Sequence, residues 1–185
     1  DYKTFIENFS VASIEQQLLG DRGNGFIVGA EICERYADGD KIALVHENTE
    51  GIVTKYSYAE LNQRAGRFAN YLDSCGIGRG DRVACLLPRT LELFVVILGT
   101  LRAGAVYQPM FTAFGPGAIE YRTEKAQTRL IVTDDANRPK LNDVKNCPPV
   151  LLVSDGAADS STAIFEETLN AQSPDFEPVL IGAKD

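Results

Sequence analysis

Short apolar runs alternate with segments of helical length through the middle of the chain. The runs cover residues 83–87, 106–110, 130–133 and 150–153, with Gly, Pro and Asp residues near their ends. Runs of this size are typical of strands that are buried on both faces, and the intervening segments suit crossover helices. The strand starts recur about every two dozen residues, close to the minimum for a strand plus a crossover. The pattern therefore predicts an α/β fold in which a parallel sheet of at least four strands carries flanking helices.

The clearest helix is predicted over residues 57–76, directly before the first of these strands. Ser57 and Glu60 have the spacing of a capping box, in which each satisfies a free amide of the first helical turn. Gly76 can take the left-handed conformation that often ends a helix. One face of this helix is apolar, so we expect it to pack on the sheet. The apolar face consists of Leu61, Ala65, Phe68, Ala69 and Leu72.

A second helix, predicted over residues 90–103, is apolar nearly all round. A helix without a polar face is normally buried on both sides or covered by another domain. Full burial is hard to arrange within 185 residues, so we expect that part of a larger protein belongs against it. This helix and an unfinished sheet edge also predict an exposed apolar surface and self-association.

The segments on either side of the sheet region are simpler. Residues 41–58 alternate weakly around the turn sequence NTEG and predict a β-hairpin. Short helices are expected over residues 13–19, with Ser13 as the cap, and over residues 26–36. Another helix is expected over residues 161–171, before an extended tail. We divide the chain into an N-terminal helical segment, 1–40, and an α/β subdomain, 41–185.

Composition narrows the classes of function. The net charge of −8 argues against a nucleic-acid-binding or anionic-membrane surface, because both need clustered Lys and Arg. No apolar stretch is long enough to span a bilayer. The four cysteines show no metal-ligand spacing with the single histidine, His46, and reduced thiols in a cytoplasmic protein are expected. The sequence contains no catalytic carboxylate pair, nucleophile elbow, P-loop or metal motif, so no catalytic and no metal-binding residue is assigned.

Two loops follow strands and therefore lie at the edge of the sheet where ligands of α/β proteins bind. Residues 111–117 lead from a strand into a helix, with Pro116 suited to the first helical turn. Residues 134–140 leave the next strand and carry two cations, Arg138 and Lys140. Either loop could bind an anionic ligand or serve as an ordinary connection. The glycines of residues 76–81 precede a strand, at the opposite edge, and are interpreted as turn residues.

Several ordered motifs carry a family resemblance. They are YSYAEL at residues 56–61, GIGRGDRVACLLP at 76–88, LRAGAVYQPM at 101–110 with the following FTAFGPGAIEYR, and RLIVTD at 129–134. Together they closely resemble the N-terminal region of AMP-forming acyl-CoA synthetases, within the adenylate-forming superfamily. The resemblance covers roughly residues 32–185, and within the superfamily residues 106–116 look most like acetyl-CoA synthetases.

This resemblance implies an acid–thiol ligase. In the parent reaction a carboxylate attacks the α-phosphate of Mg-ATP, giving an acyl-adenylate and pyrophosphate, and the CoA thiol then captures the acyl group. ATP, Mg2+ and CoA are therefore the implied cofactors, in a cytoplasmic enzyme of fatty acid metabolism. The family's phosphate loop, its adenine-, ribose- and hinge-forming segments and its C-terminal lysine have no match here. We therefore expect an N-terminal piece that is inactive by itself, binds none of these ligands tightly, and has the rest of its own chain as a partner.

The resemblance also implies four residues that contact CoA. Phe111, Thr112 and Ala113 align with a loop that lies near CoA in acetyl-CoA synthetases, although Thr112 and Ala113 replace glycines. Arg138 falls near a basic position that binds the CoA nucleotide phosphate in some relatives. Two alternatives stay open: part of a nonribosomal-peptide-type adenylation domain, and a non-catalytic binding or scaffold module. The acyl substrate, a small carboxylic acid, cannot be named from these residues.

Overall fold

A five-stranded parallel sheet forms the centre of the molecule, in the order β4-β3-β5-β6-β7. The computed structural model describes residues 1–20, 23–154, 156 and 162–182. The prediction of at least four parallel strands is confirmed, since each neighbouring pair in this sheet is parallel. The sheet strands are β3 Arg82–Leu86, β4 Val106–Pro109, β5 Leu130–Asp134, β6 Val150–Val153 and β7 Ala163–Ile164; β1 Ile42–Glu47 and β2 Val53–Ser57 form a separate pair.

The helices are α1 Tyr2–Asn8, α2 Val11–Glu15, α3 Val28–Ile32, α4 Tyr58–Ser74, α5 Leu91–Arg102, α6 Pro116–Ala126 and α7 Phe165–Asn170, with 3₁₀ segments at Glu34–Tyr36 and Arg138–Asp143. Helices α4, α5 and α7 cover one face of the sheet and α6 covers the other, while the short helices α1, α2 and α3 precede the hairpin. Among the described residues, no helix is long and apolar enough to cross a membrane.

Alternation along β3 divides the core into two clusters. Val83 and Cys85 belong to the cluster that α4 and α5 cover, while Ala84 and Leu86 belong to the cluster beneath α6. Successive side chains of a strand point to opposite faces, so a strand buried on both sides is apolar throughout. The continuous apolar runs of the sequence therefore indicate that helices cover both faces of the sheet.

The predicted helix after the hairpin is confirmed as α4. The Ser57 hydroxyl accepts from the Glu60 amide at 3.2 Å, and the Glu60 carboxylate accepts from the Ser57 amide at 2.6 Å. Both halves of the capping box are thus present. Gly76 follows the helix with φ +64°. The hairpin is confirmed as well, with β1 antiparallel to β2.

Helix α5 is better covered than its sequence suggests. Half of its large apolar side chains are buried and three more are half-buried, while Phe94 is exposed at 37%. Gly99 permits this burial, because a Cβ there would lie 2.7 Å from the Phe68 ring and 2.8 Å from the Ala65 carbonyl oxygen. The close approach of α4 to α5 therefore covers one face of this helix, and the contact with another part of a larger protein stays a prediction.

The N-terminal segment differs from its prediction. The helix expected at residues 13–19 is instead α2, and its cap is Ser10, whose hydroxyl accepts from the Ser13 amide at 3.1 Å. A further helix, α1, precedes it with Asp1 as its cap. The helix expected at residues 26–36 is divided into α3 and a 3₁₀ segment, because Cys33 leaves helical geometry at φ −137° and ψ −61°. Helices this short carry too few periodic positions for their bounds to be read from the sequence.

The chain after α7 runs back along α4 and α5 as an extended strap, residues 173–182. The Asn70 amide donates to the carbonyls of Ser173 and Asp175, both at 2.8 Å. The Arg102 guanidinium donates to the Phe176 carbonyl at 3.1 Å, and Ile181 forms a bridge with Phe26. This agrees with the predicted extended tail as far as residue 182. The helix predicted over residues 161–171 is α7, which begins only at Phe165 because residues 163–164 form strand β7. Residue 161, the predicted start, and residues 183–185 lie outside the described residues.

Candidate functional site

The carboxyl ends of the parallel strands meet at one edge of the sheet, and the loops that leave them form the candidate site. The loop after β4 covers residues 110–115, the loop after β5 covers residues 135–137 directly beyond Asp134, and Ser154 follows β6. Met110 continues the ladder beyond β4, since its amide donates to the Cys85 carbonyl at 2.9 Å. Open α/β sheets bind their ligands at this edge.

An aromatic pair shapes the loop after β4. The Phe111 ring meets the Phe114 ring edge-on, with centroids 5.9 Å apart and an interplanar angle of 85°. Phe114 packs against the cluster beneath α6, and the Arg122 guanidinium lies 4.1 Å from the centre of its ring. Phe111 is 65% exposed. The loop therefore anchors one ring and presents the other to solvent.

A polar chain of contacts joins this loop to the loop after β5. The Lys140 ammonium donates to the Thr112 carbonyl and, at 2.7 Å, to the Asn137 side-chain oxygen. The Asn137 amide in turn donates to Asp134 Oδ1 at 2.7 Å, and the Asn137 backbone N–H donates to the same oxygen at 2.9 Å. Asn137 is only 6% exposed. Two loops far apart in sequence are thus held by one set of hydrogen bonds.

The structure places the four predicted contact residues on these two loops. Phe111, Thr112 and Ala113 lie together after β4, while Arg138 begins the 3₁₀ segment after β5. The Arg138 guanidinium donates to Asn142 Oδ1 at 2.8 Å. It also lies near Cys147, where burial raises the pKa of the thiol and Arg138 opposes that rise. Lys140, which the sequence marks only as a cation, is the residue that reaches the Phe111 loop.

Asn137 and its partners were not predicted, although the sequence carries a signal for them. Asp134, Asn137 and Lys140 are spaced by three residues. A 3₁₀ helix has three residues per turn, so positions i and i+3 lie above one another on one side. The turn Arg138–Asp143 continues that geometry from the end of β5. A spacing of three between polar residues next to Pro139 is therefore the sequence signal that groups these side chains.

The remaining groups at this edge are weakly reactive or acidic. Burial raises the pKa of the Cys85 thiol to about 12, although the hydrogen bond with the Tyr107 hydroxyl lowers this pKa somewhat. The thiol is therefore protonated at neutral pH. Asp135 accepts from the Ser154 hydroxyl at 2.6 Å beside a cavity of about 260 Å³. Within the described ranges, no group of three His, Cys, Asp or Glu side chains is placed to hold a metal ion. The edge therefore presents an exposed aromatic ring and two cations, and these groups include no activated nucleophile.

Comparisons with known proteins agree with this architecture. The sequence profile of the family described as "AMP-binding enzyme" matches residues 31–184. An acetyl-coenzyme A synthetase of Thiobacillus denitrificans is 41% identical over 97 residues, which are 52% of this chain and 15% of that protein. A dimodular nonribosomal peptide synthase of Bacillus subtilis is 39% identical over 113 residues, which are 61% of this chain and 4% of that protein.

A solved structure superposes on the whole chain. The acyl-CoA synthetase of Brucella canis has a TM-score of 0.93 and 37% identity, and the match covers 100% of this chain and 34% of that one. The chain thus spans about a third of the solved relative and 15% of the acetyl-coenzyme A synthetase. Because the family profile covers most of the sequence and the fold superposes throughout, the chain belongs to the AMP-binding enzyme family, with sequence similarity to both acyl-CoA synthetases and nonribosomal peptide synthases.

Proposed function

We propose that this chain is the N-terminal part of an ATP-dependent acyl-CoA synthetase and that its two carboxyl-edge loops bind the nucleotide end of CoA. The observation that carries the proposal is the exposed Phe111 ring, anchored by Phe114 on a loop that is tied to a cationic turn. A purine stacks on an exposed aromatic ring, and such stacking contributes roughly 1–3 kcal/mol per base. Arg138 supplies a guanidinium that suits a phosphate group.

The residues of this edge fit only part of the ligand set of such an enzyme. Phe111 can hold an adenine ring, while the Thr112 and Ala113 backbone and the Arg138 guanidinium can contact the phosphates next to it. ATP and Mg2+ supply the activating chemistry in the family reaction. The 185 residues contain neither a phosphate loop nor a cluster of metal ligands among the described side chains. We therefore assign this chain a binding role for CoA, and none of its residues to the adenylation step.

Titration with CoA tests the binding role. One stacked ring and one half-buried cation support affinity only on the order of millimolar. Amide resonances of residues 111–114 should shift as CoA is added, and Phe111→Ala or Arg138→Ala should weaken the shift. Phe94→Ala and Arg129→Ala are matched controls, because Phe94 is on α5 and Arg129 immediately precedes β5 at the opposite edge. Much tighter calorimetric binding that Arg138→Ala leaves unchanged would show that this site is wrong.

We further propose that the chain alone catalyses no adenylation. An enzyme of this kind must lower the barrier by on the order of ten kcal/mol. One helix N-terminus, such as that of α6, contributes only about 1 kcal/mol toward stabilising an anion. Carboxylate-dependent exchange of labelled pyrophosphate into ATP is therefore expected from a longer protein that contains this chain, and not from the chain itself. Robust exchange by the purified 185 residues would contradict the proposal.

A second candidate is an amino-acid-activating adenylation domain, which the likeness to the nonribosomal peptide synthase favours. Such a domain passes its acyl group to a carrier-protein thiol and has no need to stack the adenine of CoA. Shifts at Phe111 with CoA but not with pantetheine would therefore favour the synthetase. A third candidate is a binding or scaffold module without chemistry. It predicts no exchange activity in any longer protein that contains the chain.

The same proposal places the protein in the cytoplasm, in the metabolism of a small carboxylic or fatty acid. Its partners would be the nucleotide-binding and C-terminal parts of a longer protein. This is supported by the small part of each relative, 15% and 34%, that the chain covers. The four cysteines are free thiols.

A further inference from the structure

Asn137 is the most buried polar side chain of the candidate site, and both the oxygen and the nitrogen of its side-chain amide form hydrogen bonds. Its oxygen accepts from the Lys140 ammonium at 2.7 Å, while its nitrogen donates to Asp134 Oδ1 at 2.7 Å. Only 6% of this residue is exposed. A buried amide that lost either partner would leave a polar group without water or a hydrogen bond. The orientation of Asn137 is therefore fixed by one anion and one cation.

Lys140 extends this contact to the neighbouring loop. Its half-buried ammonium donates to the Thr112 carbonyl, and that carbonyl belongs to the residue directly after Phe111. An ammonium has three hydrogens for donation; one is donated to Thr112 across the gap between the two loops, and another to Asn137 on the β5 side. The negative charge of Asp134 is relayed to Lys140 through the dipole of Asn137.

Packing alone does not fix the exposed ring. Phe111 is 65% exposed, and its ring contact is the edge-on approach to Phe114. The position of the ring therefore depends on the backbone at Thr112, which Lys140 holds. We infer that Asp134, Asn137 and Lys140 form a positioning relay that sets the Phe111 loop for an adenine-containing ligand. This inference rests on the proposed CoA site and adds to it three residues that act through Thr112.

A different role for Lys140 would be direct contact with a phosphate. In that case its ammonium would leave the Thr112 carbonyl when the ligand binds, and the order of the unliganded loop would not depend on it. The two roles differ in what happens before any ligand is added. A test without ligand therefore separates the relay from a simple cation.

The first experiment measures amide hydrogen exchange in the unliganded 185-residue chain. The Phe114 amide, which donates to the Phe111 carbonyl at 2.9 Å, reports on the loop. Asn137→Leu and Lys140→Met should each speed its exchange by about tenfold, the effect of losing one hydrogen bond of ordinary strength. Lys145→Met is the matched control, because it removes the same charge from an exposed residue outside the two loops. Unchanged Phe114 exchange in Lys140→Met would overturn the relay.

The second experiment measures binding of adenosine 3′,5′-bisphosphate by amide shifts. Asn137→Leu changes no charge, so a loss of affinity of threefold or more, about the weakest effect expected of a lost hydrogen bond, supports positioning. Lys140→Arg should restore part of the loop order that Lys140→Met removes. If Asn137→Leu fails to fold, the Lys140 pair decides the question. Absence of bisphosphate binding by the unmodified chain would refute the proposed CoA site, whereas the exchange data judge the relay separately.

Discussion

Two single side chains, Glu60 and Cys85, should make the stability of this fold depend on pH. The Ser57 backbone N–H and then the Ser57 hydroxyl donate to Glu60 and hold the pKa of that carboxyl below its usual value. On the sheet, the Cys85 thiol has the opposite behaviour, because burial raises its pKa. One group therefore favours the folded state above its ordinary pKa, and the other favours it below.

Removing the cap should destabilise the chain in a pH-dependent manner. Ser57→Ala should lower the free energy of unfolding by about 1 kcal/mol at neutral pH. Because the pKa of Glu60 is lowered by folding, its contribution is present above the ordinary value of 4.5 and is lost as the pH falls through the lowered value. Urea unfolding of Glu60→Gln should therefore differ from the unmodified chain at pH 7 and much less near pH 3.

Gln63→Ala is the control for the capping box, since Gln63 is exposed on the same helix. It should change stability little at either pH. A Glu60→Gln effect that is as large in acid as at neutral pH would refute the role of the charge.

The buried thiol should make the chain sensitive to alkali. The pKa of Cys85 is about 12 in the folded chain against an ordinary 9.0, so stability is fully present below pH 9 and declines as the pH rises toward 12. The slope is roughly 1.4 kcal/mol for each pH unit from this one group. Cys85→Val should reduce the loss of unfolding free energy between pH 8 and pH 10.5. The exposed Cys75, changed to Ser, should leave the loss unchanged, and equal slopes in all three proteins would contradict this assignment.

At the scale of elements, the strap at residues 173–182 and helix α4 define each other's position. The Arg67 guanidinium donates to the Gln172 carbonyl at 2.5 Å, just before the strap, and the Asn70 amide donates to the Ser173 carbonyl at 2.8 Å. Gly66 lies beneath the strap, where a Cβ would be 1.8 Å from the Pro174 carbonyl oxygen. Backbone atoms cannot yield as a flexible side chain would, so this position has no room for any other residue.

Gly66→Ala should therefore destabilise the chain even though alanine favours a helix by about 1 kcal/mol over glycine. We expect a lower urea midpoint and faster proteolysis within the strap. Gly117→Ala on α6 is the matched control, because nothing lies within 4 Å of a Cβ at that position. The control should be neutral or stabilising by up to about 1 kcal/mol. A stabilised Gly66→Ala protein would show that the strap does not lie there.

At the scale of the whole molecule, exposed apolar surface is concentrated in the first twenty residues. Neither α1 nor α2 has a buried residue. Glu31 accepts from the Gly20 amide at 3.2 Å, and Arg35 donates to the Gln17 carbonyl at 3.1 Å, so polar contacts attach this N-terminal arm. The exposed apolar side chains of the arm are Tyr2, Phe5, Ile6, Phe9, Val11, Ile14 and Leu19.

Self-association remains a prediction, and we attribute it to the exposed apolar side chains of this arm rather than to α5. Sedimentation equilibrium should show association that grows with salt, because the net charge of −8 repels like copies at low salt. Phe5→Ser combined with Phe9→Ser should reduce the association, whereas Phe94→Ser on α5 should not. A monomer at every concentration and salt level would contradict the prediction.

Local patterns in the sequence determined most of the central fold. Each of the strands β3, β5 and β6 could be predicted because burial on both faces requires a continuous apolar run, which is a property of neighbouring residues. Helix α4 could be predicted because its cap, its apolar face and Gly76 are all encoded within twenty residues. The loops of the candidate site followed from strand direction alone, since parallel strands bring their carboxyl ends to one edge.

Only the tertiary structure decided which groups meet across large sequence separations. The contact of Lys140 with Thr112 joins residues 28 positions apart, and it depends on how the 3₁₀ turn packs beside the β4 loop. The burial of α5 depends on Gly99 accepting the Phe68 ring from α4, and the confinement of Gly66 depends on a strap more than a hundred residues later. Periodicity reports the environment of a side chain, not the identity of its partner. Long-range packing supplies that identity, and it made Lys140 the link between the two loops.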